Sequence, residues 1–494
     1  MAVILCAFPL FAGEQRPNIL FILTDDQGYG DVSGNGNPVI KTPNIDKLRE
    51  GSVRFSDFSV SSSCSPTRAA LMSGMYNLKV GVTHTIGPRE QMSLKLTILP
   101  QILKAAGYTT AMIGKWHLGG GAGYAPLDRG FDRCITTAGG AQGHFNPRII
   151  RNGVAGKGVG FREDIYFNEA MKFMESCNGT PFFCYLATYS PHAPLAAPEE
   201  FIAPFKGKVD ENTAKFFGMV ANIDYNLGRL LKWMEEKRLS ENTIIVFMND
   251  NGGTYGVDTF NAGMRGCKCT AWYGGTRAMS YWRWPGRWLP HDVDALTAHI
   301  DVLPTLAAVA NAKMPDATAS ELDGRSLLPF LEGNDDPWFA DRMVFQHNGR
   351  WPSGMAAAHK DVMAGVRWKD YLLVRSRPCT DPDGLCAKDK RSQCPQLRNV
   401  EKGATAGTYT RNAQFIWGVT PGDGWALYDV RKDPGSRKNL AATHKDIVLR
   451  LKEAYSKWWD SIYPAMIING GDRPLGESVG RPGNSVEQAT KGEQ

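Results

Sequence analysis

Asn18-Ile19-Leu20-Phe21-Ile22-Leu23 (NILFIL) is apolar from its second residue and opens directly onto Thr24-Asp25-Asp26. A strand with no polar residue on either face must be covered on both sides, as in a parallel sheet flanked by helices. Three more runs share the pattern. Thr109–Ile113 (TTAMI) leads into Gly114-Lys115-Trp116-His117, Phe182–Leu186 (FFCYL) precedes Ser190-Pro191-His192, and Thr243–Met248 (TIIVFM) leads into Asn249-Asp250-Asn251. Ligands of parallel α/β sheets lie beyond the carboxyl ends of the strands, so Asp, Lys, His and Asp/Asn side chains are expected along one edge.

Helical stretches alternate with these runs, which supports an α/β fold. Thr42-Pro43 suits an N-cap and first helical position before Asn44–Glu50, with Gly51 as the stop. Phe216–Arg238 is amphipathic, with Met219, Ile223, Leu227, Leu230, Leu231 and Met234 at helical spacing. After about residue 360 the alternation weakens. Asp361–Val374 and Gly424–Val430 read as strands bracketing a Cys-, Asp- and Lys-rich loop, Arg377–Gly407, and a helix carrying Ile447, Leu451, Ala454, Tyr455 and Trp458 follows. The expected organisation is an N-terminal segment 1–14, a large α/β domain 15–360, a smaller C-terminal α+β subdomain 361–470 and a polar tail 471–494.

The composition of this 494-residue chain, 43% hydrophobic and 21% charged, excludes collagen-like, coiled-coil and wholly disordered classes. A net charge of +6 is too dilute over this length to mark a nucleic-acid protein, although it permits an anionic substrate. No apolar run reaches the roughly 18 residues of a membrane span. Met1–Gly13 (MAVILCAFPLFAG) reads as the apolar part of a secretory signal, hence an exported, periplasmic or secreted protein, or else as a short buried first strand. Of ten cysteines, eight remain if Cys6 leaves with the signal and Cys64 is chemical, an even number compatible with disulfides. Cys379, Cys386 and Cys394 read as a stapled loop, with a zinc site as the rival.

Cys64-Ser65-Pro66-Thr67-Arg68 is the most specific stretch. Pro66 suits the first position of a helix, which sets Cys64 at a helix N-terminus where free N–H groups favour an anion. Asp25, Asp26, Asp250 and the amide oxygen of Asn251 are hard oxygen donors of the kind that hold Ca²⁺ or Mg²⁺.

With these motifs the chain resembles the sulfatase family, whose signature C-x-P-x-R is met by Cys64, Pro66 and Arg68. The resemblance runs from Arg16-Pro17-Asn18 to Leu427-Tyr428-Asp429 and Asp433-Pro434, through Asp25-Asp26-Gln27-Gly28-Tyr29-Gly30-Asp31, Thr42-Pro43-Asn44-Ile45-Asp46, Gly114-Lys115-Trp116-His117-Leu118-Gly119, Pro191-His192-Pro194, Asp250-Asn251-Gly252 and Arg265-Gly266-Lys268. It implies an alkaline-phosphatase-like fold, with a large, mixed, mostly parallel sheet flanked by helices. It also implies hydrolysis of a sulfate ester, with Cys64 converted to Cα-formylglycine by a formylglycine-generating enzyme. Asp25, Asp26, Asp250, Asn251 and modified Cys64 are then the ligands of calcium, or alternatively magnesium.

The family roles carry over residue by residue. Asp250 accepts a proton from the formylglycine hydrate, Arg68 steadies the attacking oxygen, and Lys115 grips the sulfate. His192 with Lys268 contacts the bridging oxygen and protonates the leaving alcohol, and His117 removes the last hydroxyl proton so that the aldehyde returns. A divalent ion, three Asp and the cations Arg68, Lys115 and Lys268 sum to a positive pocket suited to an oxyanion. His144 and Arg148 in Gly139–Gly160, and Lys388, Lys390 and Arg391, are candidate specificity elements, with His144 expected to touch substrate. Trp272, Tyr281, Trp282, Trp284 and Trp288 form either a sugar-stacking platform or an ordinary strand and turn.

The chain departs from the family where Glu-Gly-Gly is common after the Lys loop. Here Trp272-Tyr273-Gly274-Gly275 stands instead, and Cys267 and Cys269 flank Lys268 as a disulfide pin or as packing. The expected substrate is a sulfated carbohydrate, with a small aryl sulfate second. A phosphodiester or phosphonate monoester hydrolase and a non-catalytic sulfoglycan-binding protein are the rival functions.

Overall fold

A computed structural model describes residues 16–138, 143–375 and 424–475. The expectations for Met1–Gly13, Cys6, Cys379, Cys386, Cys394, Lys388, Lys390, Arg391 and the tail beyond residue 475 fall outside those residues. The four apolar runs are strands Asn18–Thr24, Thr109–Gly114, Phe182–Ala187 and Thr243–Asn249. They lie side by side and parallel at the centre of a ten-stranded mixed sheet, in the order 243–249, 18–24, 182–187, 109–114. Antiparallel pairings appear toward both ends, at Ser280–Arg283 on one side and the hairpin Arg148–Arg151/Val154–Lys157 on the other.

Alternation along the central strands divides their side chains between two cores. Ile19, Phe21 and Leu23 face one cluster with Ala69, Leu71, Leu103, Val302 and Leu306. Leu20 and Ile22 face the other, with Leu48, Phe167, Ile223, Leu227 and Leu230. Helices therefore cover both faces, as the unbroken apolar runs require.

Local differences from the sequence reading have local causes. The helix Pro43–Glu50 ends at Gly51 as expected, but Thr42 does not cap it. Its amides at Asn44 and Ile45 donate instead to Asp224 Oδ1, at 3.0 and 2.8 Å. The amphipathic helix begins at Glu211, ahead of its apolar stripe, because the Asp210 side chain accepts from the amides of Asn212 and Thr213. The helix carrying the cysteine motif starts at Cys64 itself, so Pro66 is its third residue.

A four-stranded antiparallel sheet, Met343–His347, Ala364–Trp368, Tyr371–Arg375 and Ala426–Asp429, is covered by the helix Lys445–Ile468. Its first strand precedes residue 361, and its core includes Ala70, Tyr76 and Leu78 from the segment around the cysteine helix. The six described cysteines, Cys64, Cys134, Cys177, Cys184, Cys267 and Cys269, are buried free thiols. The expectation of disulfides is thereby corrected for these positions. Cys134, Cys177 and Cys184 pack as small apolar side chains. Of the two readings of the aromatic set, burial of Trp272, Tyr281, Trp282 and Trp288 supports the ordinary strand and turn over the sugar-stacking platform.

The small sheet is tied down by a two-pronged ion pair, Arg367 Nη1 to Asp57 Oδ1 at 3.0 Å and Nη2 to Asp57 Oδ2 at 2.7 Å. Removing one partner strands a buried charge. Arg367→Met is expected to cost about 3–5 kcal/mol of unfolding free energy in urea melts, and adding Asp57→Asn should recover a large part of it.

Candidate active site

The carboxyl ends of the four central strands are stitched together past the sheet. Thr188 N donates to Leu23 O at 2.9 Å, Asp250 N to Thr24 O at 3.1 Å, Lys115 N to Ala187 O at 2.8 Å and Asp25 N to Ser190 O at 3.2 Å. Gly114 is required for one of these crossings: its φ is +106°, and a Cβ there would meet Ala187 O at 1.8 Å. Asp25, Asp26, Lys115, His117, His192, Asp250 and Asn251 consequently leave the sheet at one edge. The helix Cys64–Ser73 adds Cys64 and Arg68, and the loop after Gly266 adds Lys268.

Ligand atoms of Asp25, Cys64 and Asp250 all lie within 4.8 Å of one another and are buried. Three cations interleave with the carboxylates. Lys115 Nζ is 2.5 Å from Asp25 Oδ2, Lys268 Nζ is 2.6 Å from Asp26, and Arg68 Nη2 is 3.0 Å from Asp250 Oδ2 and 3.7 Å from Asp25 Oδ1. Arg68 also donates to Lys115 O at 2.7 Å. His192 Nε2 lies 3.7 Å from Asp26 Oδ2. His117 reaches Glu90 Oε2 at 3.2 Å and Thr85 O at 3.1 Å. Asn251 Nδ2 donates to Asp26 Oδ1 at 3.1 Å, which ties the two acidic strand ends together.

These contacts set the protonation states. Burial alone would raise Asp25, but Lys115, His192 and Arg68 hold it well below the ordinary carboxylate range. Burial works against Asp26 too, and Lys268 and His192 prevail and lower it. At Asp250 burial and the neighbouring charge of Asp25 prevail over Arg68, and its carboxyl is pushed far up. Burial would raise the Cys64 thiol, yet Lys115, His117 and Lys268 draw it well below the usual thiol value. His117 resists burial through the Cys64 charge and rises to about 9, whereas burial lowers His192 despite Asp26.

Two buried acceptors in this cluster have no hydrogen-bond partner, Asp25 Oδ1 and Asn251 Oδ1. A buried carboxylate oxygen or amide oxygen without a donor is costly, and each is a hard donor of the kind a divalent cation takes. Asp25, Cys64 and Asp250, whose ligand atoms lie together, fit such an ion.

His144 lies within electrostatic reach of His192. It is buried against Phe161, with ring centroids 6.2 Å apart, and burial with Arg162 nearby pushes it down to about 4. Several contributors carried no sequence signal. Glu90 grips His117 from a stretch without a motif, and Glu163 Oε1 accepts from both Ser190 N at 3.1 Å and Ser190 Oγ at 2.8 Å, fixing the turn before His192. The Tyr185 hydroxyl, among Arg68, Asp250 and Asp25, is raised to about 12 by burial. Tyr185 reads in sequence as one more apolar strand residue. Cys267 and Cys269 do not pin their loop by a disulfide. Lys268 N donates to Gly253 O at 3.1 Å and Cys269 N to Ser62 O at 2.7 Å, and these bonds hold the lysine over Asp26.

A large parallel-centred sheet with buried carboxylates, a nucleophile-type residue on a helix N-terminus and a ring of cations at its carboxyl edge defines an alkaline-phosphatase-like hydrolase of oxyanion esters. The Sulfatase family model matches residues 17–312. Arylsulfatase J of Mus musculus is 28% identical over 485 residues, covering 92% of this chain and 77% of that protein. N-acetylgalactosamine-6-sulfatase of Mus musculus is 30% identical over 392 residues, covering 71% and 72%. The solved structure of Ps i-CgsB in complex with k-i-k-neocarrahexaose is similar with a TM-score of 0.75 at 25% identity, covering 94% of this chain and 96% of that one. The chain belongs to the sulfatase family and is a hydrolase of sulfate esters.

Calcium or magnesium added to chelator-treated protein is expected to raise its unfolding temperature saturably, by the equivalent of about 2.7 kcal/mol at 100 times Kd. Asp25→Asn should weaken that stabilisation, read by differential scanning calorimetry.

Proposed function

We propose that this chain hydrolyses the sulfate ester of a sulfated carbohydrate through Cα-formylglycine formed at Cys64 by a formylglycine-generating enzyme, after export to the periplasm or medium. The observation that carries this reading is the convergence of Cys64 with Asp25 and Asp250 within 4.8 Å, ringed by Arg68, Lys115, His117, His192 and Lys268. As a hydrate, the aldehyde supplies one oxygen to attack sulfur and a second whose deprotonation expels sulfate, so release needs no second attack at sulfur. Asp25, Asp26, Asp250, Asn251 and residue 64 would hold a divalent cation, calcium by the resemblance, which would supply positive charge for binding an oxyanion.

The remaining work falls to the side chains. Asp250, ionised once a cation and Arg68 at 3.0 Å offset its neighbours' charge, takes the proton of the attacking hydroxyl. Lys115 binds sulfate oxygens. Lys268, held charged by Asp26 against the cost of burial, faces the leaving oxygen beside His192. The negative charge of a bound sulfate raises His192 toward protonation, and the imidazolium passes its proton to the departing alcohol. His117, steadied by Glu90 and Thr85, removes the last hydroxyl proton and restores the aldehyde.

Carbohydrate is favoured as the substrate class because one relative is named for an N-acetylgalactosamine sulfate and one structural neighbour holds an oligosaccharide. The arylsulfatase names among the relatives favour a second reading, a small aryl sulfate. Export rests on Met1–Gly13. No helix among the described residues is long and apolar enough to cross a membrane.

Cys64→Ala is expected to abolish sulfate release and to remove the reaction of the matured protein with an aldehyde-specific hydrazide probe. His192→Ala should lower kcat/KM on a sugar sulfate by about 10²–10⁴-fold and on 4-nitrophenyl sulfate by much less, because the aryl leaving group needs little protonation. Equal losses on both substrates would remove His192 from the role of acid.

A further inference from the structure

A fourth cation borders the site from the small sheet. The segment following the strand Met343–His347 folds back against the catalytic loops, where Ser62 Oγ donates to Asn348 Oδ1 at 2.8 Å, two residues before Cys64. Arg350 N donates to Thr83 O at 3.0 Å, and Arg350 Nη2 donates to Thr85 Oγ1 at 3.0 Å. The carbonyl of that same Thr85 lies 3.1 Å from His117 Nε2. On its other side Arg350 is the strongest of the charges that pull the Cys269 thiol down against burial, and Cys269 adjoins Lys268. The guanidinium thus touches the residue that meets His117 and lies within electrostatic reach of Cys269.

Two features set Arg350 apart. Its Nε is buried without a hydrogen-bond partner, and among the described residues its guanidinium forms no ion pair with a carboxylate. Its backbone is also left-handed, with φ +64°, a conformation costly for a residue with a Cβ. Asp26 at +68°, His117 at +60° and Cys269 at +67° share that conformation and surround the same pocket. Strain of this kind persists where the surrounding fold imposes it, and it gathers at functional sites. A half-buried guanidinium with no carboxylate partner among the described residues has charge and donors to offer an anion from outside the chain.

We propose that Arg350 forms a second anionic subsite, which binds an oxyanion carried by the same substrate molecule next to the sulfate being cleaved. The preferred substrate is then at least dianionic, a saccharide with a second sulfate or a carboxylate adjoining the reacting ester. This rests on the reading of the pocket as a sulfate-ester site.

The test compares the parent protein, Arg350→Met and Arg350→Lys on a monosulfated saccharide, its disulfated counterpart and its uronate-bearing monosulfated counterpart. The preference for a dianion, as a ratio of kcat/KM values, is expected to fall about 10- to 100-fold in Arg350→Met through KM, the loss due to a charge-assisted hydrogen bond, and to recover in part in Arg350→Lys. Which dianion responds identifies the second group as sulfate or carboxylate. A ratio that does not move, or an equal loss on all three saccharides, overturns the proposal. Calorimetric binding of the same ligands to Cys64→Ala, with and without Arg350→Met, separates the two readings. If the parent hydrolyses none of the esters, the formylglycine reading fails by itself. An Arg350-dependent preference for dianions in binding would still uphold the subsite, and its absence would overturn it.

Discussion

Asp25, Asp26 and Asp250 are three buried carboxylates at the ends of two neighbouring parallel strands, and such a cluster is tenable only with positive charge among them. Lys115, Lys268 and Arg68 supply it, each from a different element, and each in contact with at least one of the three acids. The pairing is incomplete in an informative way. Asp250 is left with a strongly raised carboxyl, and Asp25 Oδ1 and Asn251 Oδ1 are left without donors. The same charges that make the acids tolerable make the pocket attractive to an oxyanion, so folding and binding draw on one electrostatic balance.

The architecture follows from that edge. Burial of the central strands on both faces leaves their carboxyl ends as the place where polar side chains can gather, and backbone hydrogen bonds beyond the sheet lock the loops to one another. The short connection after Gly114 and the turn at Ser190, gripped by Glu163, bring Lys115 to Asp25 and His192 to Asp26. The small antiparallel sheet joins the same structure through Asp57–Arg367 and through Asn348 at Ser62, so residues far along the chain bear on the loop that carries Cys64.

Much of this was legible in the residues themselves. Runs such as Ile19–Leu23 announce strands covered on both faces because nothing polar interrupts them, and each leads straight into a residue that is chemical rather than structural. What stayed hidden was contact at long separation. Thr42 has the right side chain to cap its helix, yet Asp224, 180 residues beyond Asn44, does so. Glu90 and Arg350 belong to no motif, and only the fold brings them to His117 and Thr85. An even count of cysteines invited disulfides, while the described thiols are free, Cys134, Cys177 and Cys184 in apolar surroundings and Cys64, Cys267 and Cys269 at or beside the charged site, a distinction that composition does not carry.

Diffraction from crystals of the matured protein grown with calcium and soaked with inorganic sulfate tests the central claim most directly, that these strand ends form one ion-holding oxyanion cup around residue 64. The account expects anomalous density for a cation about 2.3–2.6 Å from Asp25 Oδ1 and Asn251 Oδ1, and a sulfate whose oxygens meet Lys115 and Lys268 beside an aldehyde hydrate at position 64. Density for the ion or the sulfate at some other place, with Asp25 Oδ1 still unliganded, would contradict it.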